Sequence, residues 1–377
     1  MAKKNKFHSY SNGKLPKGCR KCVKGKKLVI FLTGLCPRNC YFCPVSDQKF
    51  QKDVIFANEK EVNNFEDIIE EALAMNAKGA GITGGDPLVK VGRVSEYIKK
   101  LKSNFGKKFH IHLYSSLNLV SKENLEKLYS AGLDEIRFHL DFDSKEYWER
   151  LKIVNEFSWD VGVELPLIPG KEKETKEIID YIHNKIKFLN LNELEVADNE
   201  HSDLIDRGFE VKNQLSYAVK GSLESGLELM EYVKGKNYKI KIHVCTAKLK
   251  DAAQLSNRIK REGEIIKRGF DIIDSEGLLT RGALYLPELA PGFSYRKKLK
   301  NADKTEFISK LKEFEKKIKK ELNLNEIVID ENKLRILLSG NNAIKNKVKL
   351  LEMGLLAAIV KEYPTADQFE VEVEFLK

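Results

Sequence analysis

The sequence has little of what marks secreted, membrane-spanning or disordered proteins. Its 377 residues include only 9 prolines and 6 cysteines, and 42% of them are hydrophobic. This composition excludes a disordered chain, and so few cysteines in so long a chain exclude a disulfide framework. No apolar run approaches the roughly 20 residues of a membrane helix, and the N-terminus has no apolar stretch of signal-peptide type. We therefore expect a cytoplasmic protein without membrane contact, whose cysteines serve metal or redox chemistry.

The formal net charge of +10 is concentrated at the N-terminus. Ten of the 66 Lys and Arg residues, and none of the 56 Asp and Glu residues, lie within residues 1–27. The rest of the chain is therefore balanced in charge. A basic arm of this kind can contact phosphate or an acidic partner, and a solvated tail explains it equally well. An RNA substrate and an uninvolved tail both stay open as interpretations.

Strands alternate with helices through the first 200 residues. The continuous apolar run at 26–32 predicts a strand buried on both faces. Further strands are predicted, with amphipathic helices between them, at 80–83, 109–114, 135–140, 161–167 and 193–196. This alternation predicts a parallel sheet with right-handed crossovers, either open or closed into a barrel.

The rest of the chain predicts an extension of the barrel and then a smaller α+β domain. A helix at 222–234 and a strand at 239–245 precede a proline-containing hinge at 286–291. A helix at 305–322, strands at 326–329 and 334–338, a helix at 345–362 and a strand at 369–375 follow. The predicted divisions are an arm at 1–25, a barrel at 26–200, an extension at 201–300 and a C-terminal domain at 301–377.

Three cysteines follow the first buried strand. Cys36, Cys40 and Cys43 have the spacing C-x3-C-x2-C, with the aromatic Phe42 before the last of them. Three thiolates this close together can hold one corner of a soft metal centre, which is either an iron–sulfur cluster or zinc. A [4Fe–4S] cluster bound by three cysteines keeps one iron open for a further ligand. A zinc ribbon would instead use Cys19 and Cys22 as additional ligands.

A glycine-rich turn is predicted at the end of the next strand and consists of Gly84, Gly85, Asp86 and Pro87. The glycines permit close approach of the backbone to a ligand, and Asp86 and backbone carbonyls can accept hydrogen bonds from an ammonium group. Ligands bind beyond the carboxyl ends of parallel strands, which is where this turn and the cysteine loop are both expected.

Together, these two motifs resemble those of the radical S-adenosylmethionine (SAM) superfamily. The segment 36–43 matches its C-x3-C-x2-C cluster motif, and the segment 84–87 resembles its Gly-Gly-Glu-Pro motif with Asp86 in place of the glutamate. The resemblance covers about residues 26–200 and is nearest to activating enzymes of the pyruvate formate-lyase type. It implies an α/β fold: a partial (β/α)6 TIM-like barrel with a smaller C-terminal α+β domain.

The resemblance also implies the chemistry. Cys36, Cys40 and Cys43 would hold a [4Fe–4S] cluster whose open iron binds SAM. One electron from a reductant such as flavodoxin or ferredoxin would cleave SAM to a 5′-deoxyadenosyl radical, which abstracts hydrogen from a substrate. RNA and a protein or peptide are both open as substrates. A non-catalytic zinc-binding adaptor is the alternative from a different class.

Further cofactor contacts are expected from the strand ends. The predicted cofactor-binding residues are Gly84, Gly85, Asp86, Pro87, Ser115 and Glu164. Ser115 follows a strand and can instead be a helix-cap or turn hydroxyl. Glu164 can reach the ribose of the cofactor or form an ion pair with Arg137.

The remaining cysteines suggest a second metal site. Cys19 and Cys22 form a C-x2-C pair, and His243 and Cys245 lie two apart on one predicted strand, so they share one face. The four residues are a complete tetrahedral set for zinc, or ligands for a second iron–sulfur cluster. We hypothesise an auxiliary site that joins the arm to the strand at 239–245. The alternative is an exposed C-x2-C pair and a Cys245 packed as a small hydrophobe.

Overall fold

The computed structural model describes residues 4–377, so the first three residues of the predicted arm lie outside the described residues. The chain divides into two compact units between Arg258 and Ile259, well before the boundary expected at residue 301. Each unit has its own hydrophobic core. No helix within residues 4–377 is long and apolar enough to cross a membrane.

The first unit contains most of the strands. They are β1 (Tyr10–Ser11), β2 (Leu28–Phe31), β3 (Phe56–Ala57), β4 (Lys60–Glu61), β5 (Gly79–Thr83), β6 (His110–Ser116), β7 (Glu135–His139), β8 (Asp160–Leu167), β9 (Phe188–Glu193), β10 (Val211–Asn213), β11 (Ser216–Val219) and β12 (Lys241–Cys245). Its helices are α1 (Lys17–Cys22), α2 (Phe65–Ala74), α3 (Val91–Phe105), α4 (Lys122–Ala131), α5 (Leu151–Val154), α6 (Glu172–Ile182), α7 (Ser222–Gly235) and α8 (Ala247–Leu249), and α9 (Ser256–Ile266) contains the division between the units. Two short 3-10 segments (Pro87–Lys90 and Trp148–Arg150) and a π-helical segment (Lys250–Leu255) complete it.

A parallel sheet forms the body of the first unit. The strands β12, β9, β8, β7, β6, β5 and β2 lie side by side in that order, and every neighbouring pair is parallel. At the two ends of the sheet, β1 is antiparallel to β12, and β3 and β4 extend it beyond β2. The strands follow one another through helical crossovers, which confirms the α/β fold class with a barrel-like parallel sheet.

The two faces of the parallel strands differ in polarity. Side chains such as Ile111, Leu113 and Leu189 belong to the main apolar core. Polar residues that face the interior from β6, β7, β8 and β9 hydrogen-bond or pack with one another, and they are His110, His112, Arg137, Glu164 and Asn190. Because side chains alternate between the faces of a strand, one face packs on the helices and the other builds a polar interior.

The N-terminal arm is part of the first unit. In β1, Tyr10 lies opposite Val244 of β12, and the backbone N–H of Gly18 in α1 donates to Glu135 Oε2 at 3.3 Å. A Cβ atom at Gly18 would lie 2.6 Å from a guanidinium nitrogen of Arg137 and 2.9 Å from Glu135, so α1 packs closely at the amino end of β7. Residues 4–25 of the arm are therefore folded against the barrel and are not a solvated tail.

The second unit is an antiparallel sheet with helices. Its elements are β13 (Ile272–Ile273), β14 (Leu279–Tyr285), α10 (Tyr295–Asn301), α11 (Lys304–Leu322), β15 (Val328–Asp330), β16 (Arg335–Leu338), α12 (Gly340–Glu352), β17 (Leu356–Glu362) and β18 (Glu370–Phe375), with a 3-10 segment at Pro287–Leu289. The sheet order is β15, β16, β14, β17, β18, and β13 pairs with β14. The central strand β14 lies in the segment expected to extend the barrel, which is why the unit begins earlier than predicted.

One predicted helix of this unit is wrong. The segment 345–362 was expected to be helical throughout, but α12 ends at Glu352 and β17 takes up its second half. Gly354 has φ 88°, and the N–H of Leu355 donates to the carbonyl of Leu350 at 3.0 Å. This is the hydrogen-bond pattern with which a left-handed glycine closes a helix.

Candidate active site

Cys36, Cys40 and Cys43 lie in the loop after β2, at the carboxyl end of the parallel sheet. All three are free and half-buried, and all line one cavity of about 780 Å³. Burial raises the pKa of each thiol, to about 11 for Cys36. The loop alone therefore holds thiols at neutral pH, and an iron centre offsets the cost of ionising them because it binds thiolates. The donor set fits an iron–sulfur cluster.

Other elements hold this loop in place. Arg38 donates to the carbonyl of His139 at 3.4 Å and to Asp141 Oδ2 at 3.0 Å, which fixes the loop to the end of β7. Asn199 donates from its side-chain amide to the carbonyl of Cys43 at 3.0 Å. The segment around Asn199 follows β9 and was not predicted to have a role. The cysteine loop is thus fixed to two separate parts of the sheet.

The glycine-rich turn is bonded directly to the start of the cysteine loop. The backbone N–H of Gly85 donates to the carbonyl of Thr33, and that of Asp86 donates to the carbonyl of Leu35, both at 2.8 Å. A Cβ atom at Gly84 would collide with the Thr33 carbonyl, and one at Gly85 would lie 2.5 Å from the Leu35 carbonyl. Glycine is needed at both positions because the two backbones run in contact. The structure therefore brings the two predicted motifs together at one edge of the cavity.

Asp86 has a full set of hydrogen bonds within the fold. Its buried carboxylate accepts from Ser115 Oγ at 2.7 Å, from Ser116 Oγ at 2.6 Å, and from the backbone N–H groups of Ser116 and Leu88 at 3.1 Å. Pro87 begins the 3-10 segment that follows. Ser115 lines the cavity, but its hydroxyl is bonded to Asp86, an arrangement that neither interpretation of this residue anticipated. Asp86 and Ser115 together join the ends of β5 and β6.

Glu164 is held by the interior of the barrel. It accepts from Arg137 Nη1 at 2.8 Å, from Asn190 Nδ2 at 2.9 Å and from Asn192 Nδ2 at 2.8 Å. Of the two alternatives for Glu164, the structure shows the ion pair with Arg137. Glu164 also lines the cavity, so this ion pair forms part of its wall.

The cavity reaches the floor of the barrel, where sequence reasoning had singled out no lysine. Lys27 lines it together with Cys22 and His112, and the Lys27 side chain lies 3.0 Å from His110 Nδ1. Burial lowers the pKa of Lys27 to about 7 and that of His110 to about 2. The floor therefore carries neutral histidines beside a lysine that is only partly protonated at neutral pH.

The arm brings donors of the hypothesised auxiliary site to β12 without assembling a zinc site. Within residues 4–377, no group of three or more His, Cys, Asp or Glu side chains is placed to hold a single metal ion. His243 Nε2 instead lies 3.0 Å from Ser9 Oγ, and the sulfur of Cys19 accepts from Arg137 at 3.4 Å. Cys19, Cys22, His243 and Cys245 are therefore not gathered around one ion position, and the auxiliary zinc or iron–sulfur site stays a prediction. The three cysteines of the loop also do not converge on one ion, but a cluster takes ligands at separate corners of a cube.

Comparisons with known proteins agree with the motifs. The family model described as the radical SAM superfamily matches residues 30–192. A protein of Methanocaldococcus jannaschii, provisionally named a glycyl-radical enzyme activating enzyme, is 41% identical over 280 residues, which is 72% of this chain and 74% of that protein. Biotin synthase of Pseudoalteromonas translucida is 27% identical over 135 residues, covering 34% of this chain and 36% of its own.

Two solved structures are similar to part of this chain at low sequence identity. SuiB of Streptococcus suis, solved with the precursor peptide SuiA, has a TM-score of 0.43 at 14% identity and covers 67% of this chain and 53% of its own. HydG, a maturase of the [FeFe]-hydrogenase, has a TM-score of 0.38 at 13% identity, with 74% of this chain and 68% of its own covered.

Proposed function

Because this chain belongs to the radical SAM superfamily, whose enzymes use a [4Fe–4S] cluster and SAM, we propose that it activates a partner protein by taking a hydrogen atom from a glycine residue. The name and the 41% identity of the Methanocaldococcus jannaschii relative support this assignment, as does its coverage of 74% of that protein. The expected likeness to activating enzymes of the pyruvate formate-lyase type is consistent with this relative.

One observation carries the proposal: the cysteine loop and the glycine-rich turn are hydrogen-bonded to each other at the edge of a single cavity. Cys36, Cys40 and Cys43 would hold the cluster. When bound, the cluster would supply the single electron that cleaves SAM to methionine and a 5′-deoxyadenosyl radical. Since four donors already occupy the Asp86 carboxylate, the backbone carbonyls of the turn would accept from the amino group of SAM.

Apolar side chains would keep water from the reacting atoms. Phe42 lines the cavity, and its ring centroid lies 5.1 Å from that of Tyr41 and 5.8 Å from that of His139. Tyr41 and Phe42 both pack on an apolar cluster that includes Leu194 and Leu204. A carbon radical must be shielded from solvent and from other hydrogen donors, so this covering protects the reaction.

The test is anaerobic reconstitution with iron and sulfide, followed by reduction with dithionite and detection of 5′-deoxyadenosine by mass spectrometry. We expect Cys36→Ala, Cys40→Ala and Cys43→Ala each to abolish its formation and to lose the visible absorbance of the cluster. Cys245→Ala serves as the control for removing a thiol, because Cys245 lies outside the loop. It should retain the formation of 5′-deoxyadenosine.

Two outcomes would contradict the assignment. A colourless protein that binds one equivalent of zinc and forms no 5′-deoxyadenosine would indicate the zinc-binding adaptor. For the substrate, peptides labelled with deuterated glycine should transfer deuterium to 5′-deoxyadenosine. Stimulation of 5′-deoxyadenosine formation by RNA and not by peptides would contradict a protein substrate.

A further inference from the structure

Part of the cavity wall lies away from the cysteine loop and the glycine-rich turn. Glu195, Lys250 and Gln254 line the cavity and follow β9 and β12, whereas the cysteine loop and the glycine-rich turn follow β2 and β5. In the order of the sheet, β9 and β12 are separated from β5 by β8, β7 and β6. These side chains are therefore available to a second molecule in the same cavity.

Lys250 and Gln254 lie on an unusual helical segment. The chain is π-helical over Lys250–Leu255, between α8 and α9. Such segments are rare and occur frequently at functional sites, because the wider turn re-aims the side chains that it carries. Here Leu249 and Ala253 are buried, while Lys250 and Gln254, four residues apart, line the cavity.

The polar side chains of this wall differ in whether they have a partner for their charge or for their hydrogen-bonding groups. Lys250 and Glu195 form an ion pair, so neither leaves an uncompensated charge. The side-chain amide of Gln254 has no hydrogen-bond partner among the residues that the structure describes. Asn192, at the end of β9, donates its amide hydrogen to Glu164 at 2.8 Å, and this fixes the side chain and leaves its oxygen to accept. Glu193, at the end of β9, also lines the cavity, and its carboxylate accepts from the backbone N–H of Ala247 at 2.8 Å. The wall thus presents two carboxamides and this carboxylate to the cavity, and its lysine is paired.

We propose that Gln254 and Asn192 bind main-chain amide groups of the polypeptide segment that carries the reacting glycine. This inference rests on the proposed function and names how its substrate is recognised. Glycine has no side chain, so an enzyme that acts on it must read the neighbouring peptide N–H and C=O groups. A carboxamide offers a donor and an acceptor without charge, as a peptide group does. Because Lys250 is already paired with Glu195, the wall favours a main chain over the negatively charged backbone of RNA.

The step at this site balances in atoms and electrons. The Cα–H bond of the glycine breaks homolytically, and the hydrogen atom joins the 5′ carbon of the deoxyadenosyl radical. The products are 5′-deoxyadenosine and a glycyl radical that keeps the unpaired electron. In the assay, dithionite supplies the single electron that reduces SAM at the outset. The carboxamides take no part in these bond changes and set the position of the Cα–H bond.

The experiment uses the reconstituted holoenzyme and a peptide digest labelled with deuterated glycine as the probe. The readout is the share of 5′-deoxyadenosine that carries deuterium, at peptide concentrations below saturation. We expect this share to fall about tenfold in Gln254→Met, which keeps the size of the side chain and removes its donor and acceptor. Gln254→Glu keeps the acceptors and should lie between Gln254→Met and the unchanged protein.

Asp251→Asn is the matched control, because Asp251 is exposed on the same turn and does not line the cavity. It should give the share seen in the unchanged protein, and the visible absorbance of the cluster reports that each variant is folded and loaded. An equal deuterated share in Gln254→Met and the unchanged protein would overturn the recognition of the main chain and leave the proposed function standing. No deuterium transfer in the unchanged protein would overturn the proposed function itself.

Discussion

Asp86 shows how a single buried side chain can serve a binding site without touching the ligand. Its carboxylate is the common acceptor for groups from the end of β6 and from the 3-10 segment after β5. The turn that contains Gly84 and Gly85 is therefore held by side-chain hydrogen bonds as well as by backbone hydrogen bonds. We regard Asp86 as a positioning residue of the turn.

Replacement of Asp86 by Ala should destabilise the protein strongly. The change leaves the hydroxyl of Ser116 and a backbone N–H buried without an acceptor, and each such group costs about 1–3 kcal/mol. The hydroxyl of Ser115 keeps the carbonyl of Ser116 as an acceptor at 3.0 Å. Ser115→Ala removes only one of these bonds and should cost about 1 kcal/mol. Urea unfolding followed by circular dichroism measures both changes. Equal losses of stability in the two variants would contradict the role of Asp86 as the shared acceptor.

At the same scale, the sequence predicted the residue types of the site better than their partners. The cysteine spacing and the Gly-Gly turn are local patterns, so both motifs could be placed from the sequence alone. The bond between Asp86 and Ser115 depends on the register of β5 against β6, which no local pattern encodes. Gln254 was missed because a π-helical turn has no recognisable sequence signature.

At the scale of elements, α1 is the part of the arm that packs most closely on the barrel. Its Gly18 faces three polar side chains of β6 and β7, and a Cβ atom there would lie 2.7 Å from His112 Nδ1. Gly13, also in the arm, has only Lys241 Cγ at 3.8 Å from the position of a Cβ atom, which is an ordinary contact. The two glycines therefore form a matched pair for a test of the packing.

Gly18→Ala should destabilise the protein by about 1–3 kcal/mol, because the added methyl group forces α1 away from the barrel. Gly13→Ala should change the stability by less than about 0.5 kcal/mol. Chemical unfolding measures both, and limited proteolysis should cut the arm faster in Gly18→Ala alone. If both variants unfolded at the same denaturant concentration as the parent, the close packing of α1 would be contradicted.

The sequence predicted best the elements that have both a clear hydrophobic periodicity and a clear residue signal where they end. Most of the parallel strands were predicted close to their observed bounds, but the strand expected at 193–196 lies earlier, as β9 at Phe188–Glu193. The helix expected at 345–362 failed because apolar residues continue past Gly354 into β17. The glycine was the available signal, since it supplies the left-handed residue that ends α12.

At the scale of the whole molecule, four histidines lie in the interior of the barrel or at its mouth. Burial lowers the pKa of all four, which are His110, His112, His139 and His243. The pKa is lowered to about 2 for His110, to about 3 for His139 and to about 4 for His243. In the folded protein these side chains are neutral at any pH near 7.

Stability should therefore fall as the pH drops below about 6.5, the usual pKa of histidine in an unfolded chain. In that range the unfolded state binds protons that the folded state excludes. Each histidine therefore lowers the free energy of unfolding by up to about 1.4 kcal/mol for each pH unit. His110→Gln should reduce the slope of the free energy of unfolding against pH by the contribution of one histidine. Urea unfolding at several pH values between about 5 and 7 measures it. An unchanged slope in His110→Gln would contradict the exclusion of protons from this site.

The pairing of β1 with β12 determines when the N-terminal arm can fold during synthesis. Asn12 is hydrogen-bonded to Ile240 and Ile242, and Ser9 to His243, across separations of 228, 230 and 234 residues. Contacts so distant along the chain close late, because the loop between them must first be organised. During synthesis β1 leaves the ribosome long before β12. The arm can therefore complete its pairing with the barrel only after the ribosome has added the 228 to 234 residues that separate the partners.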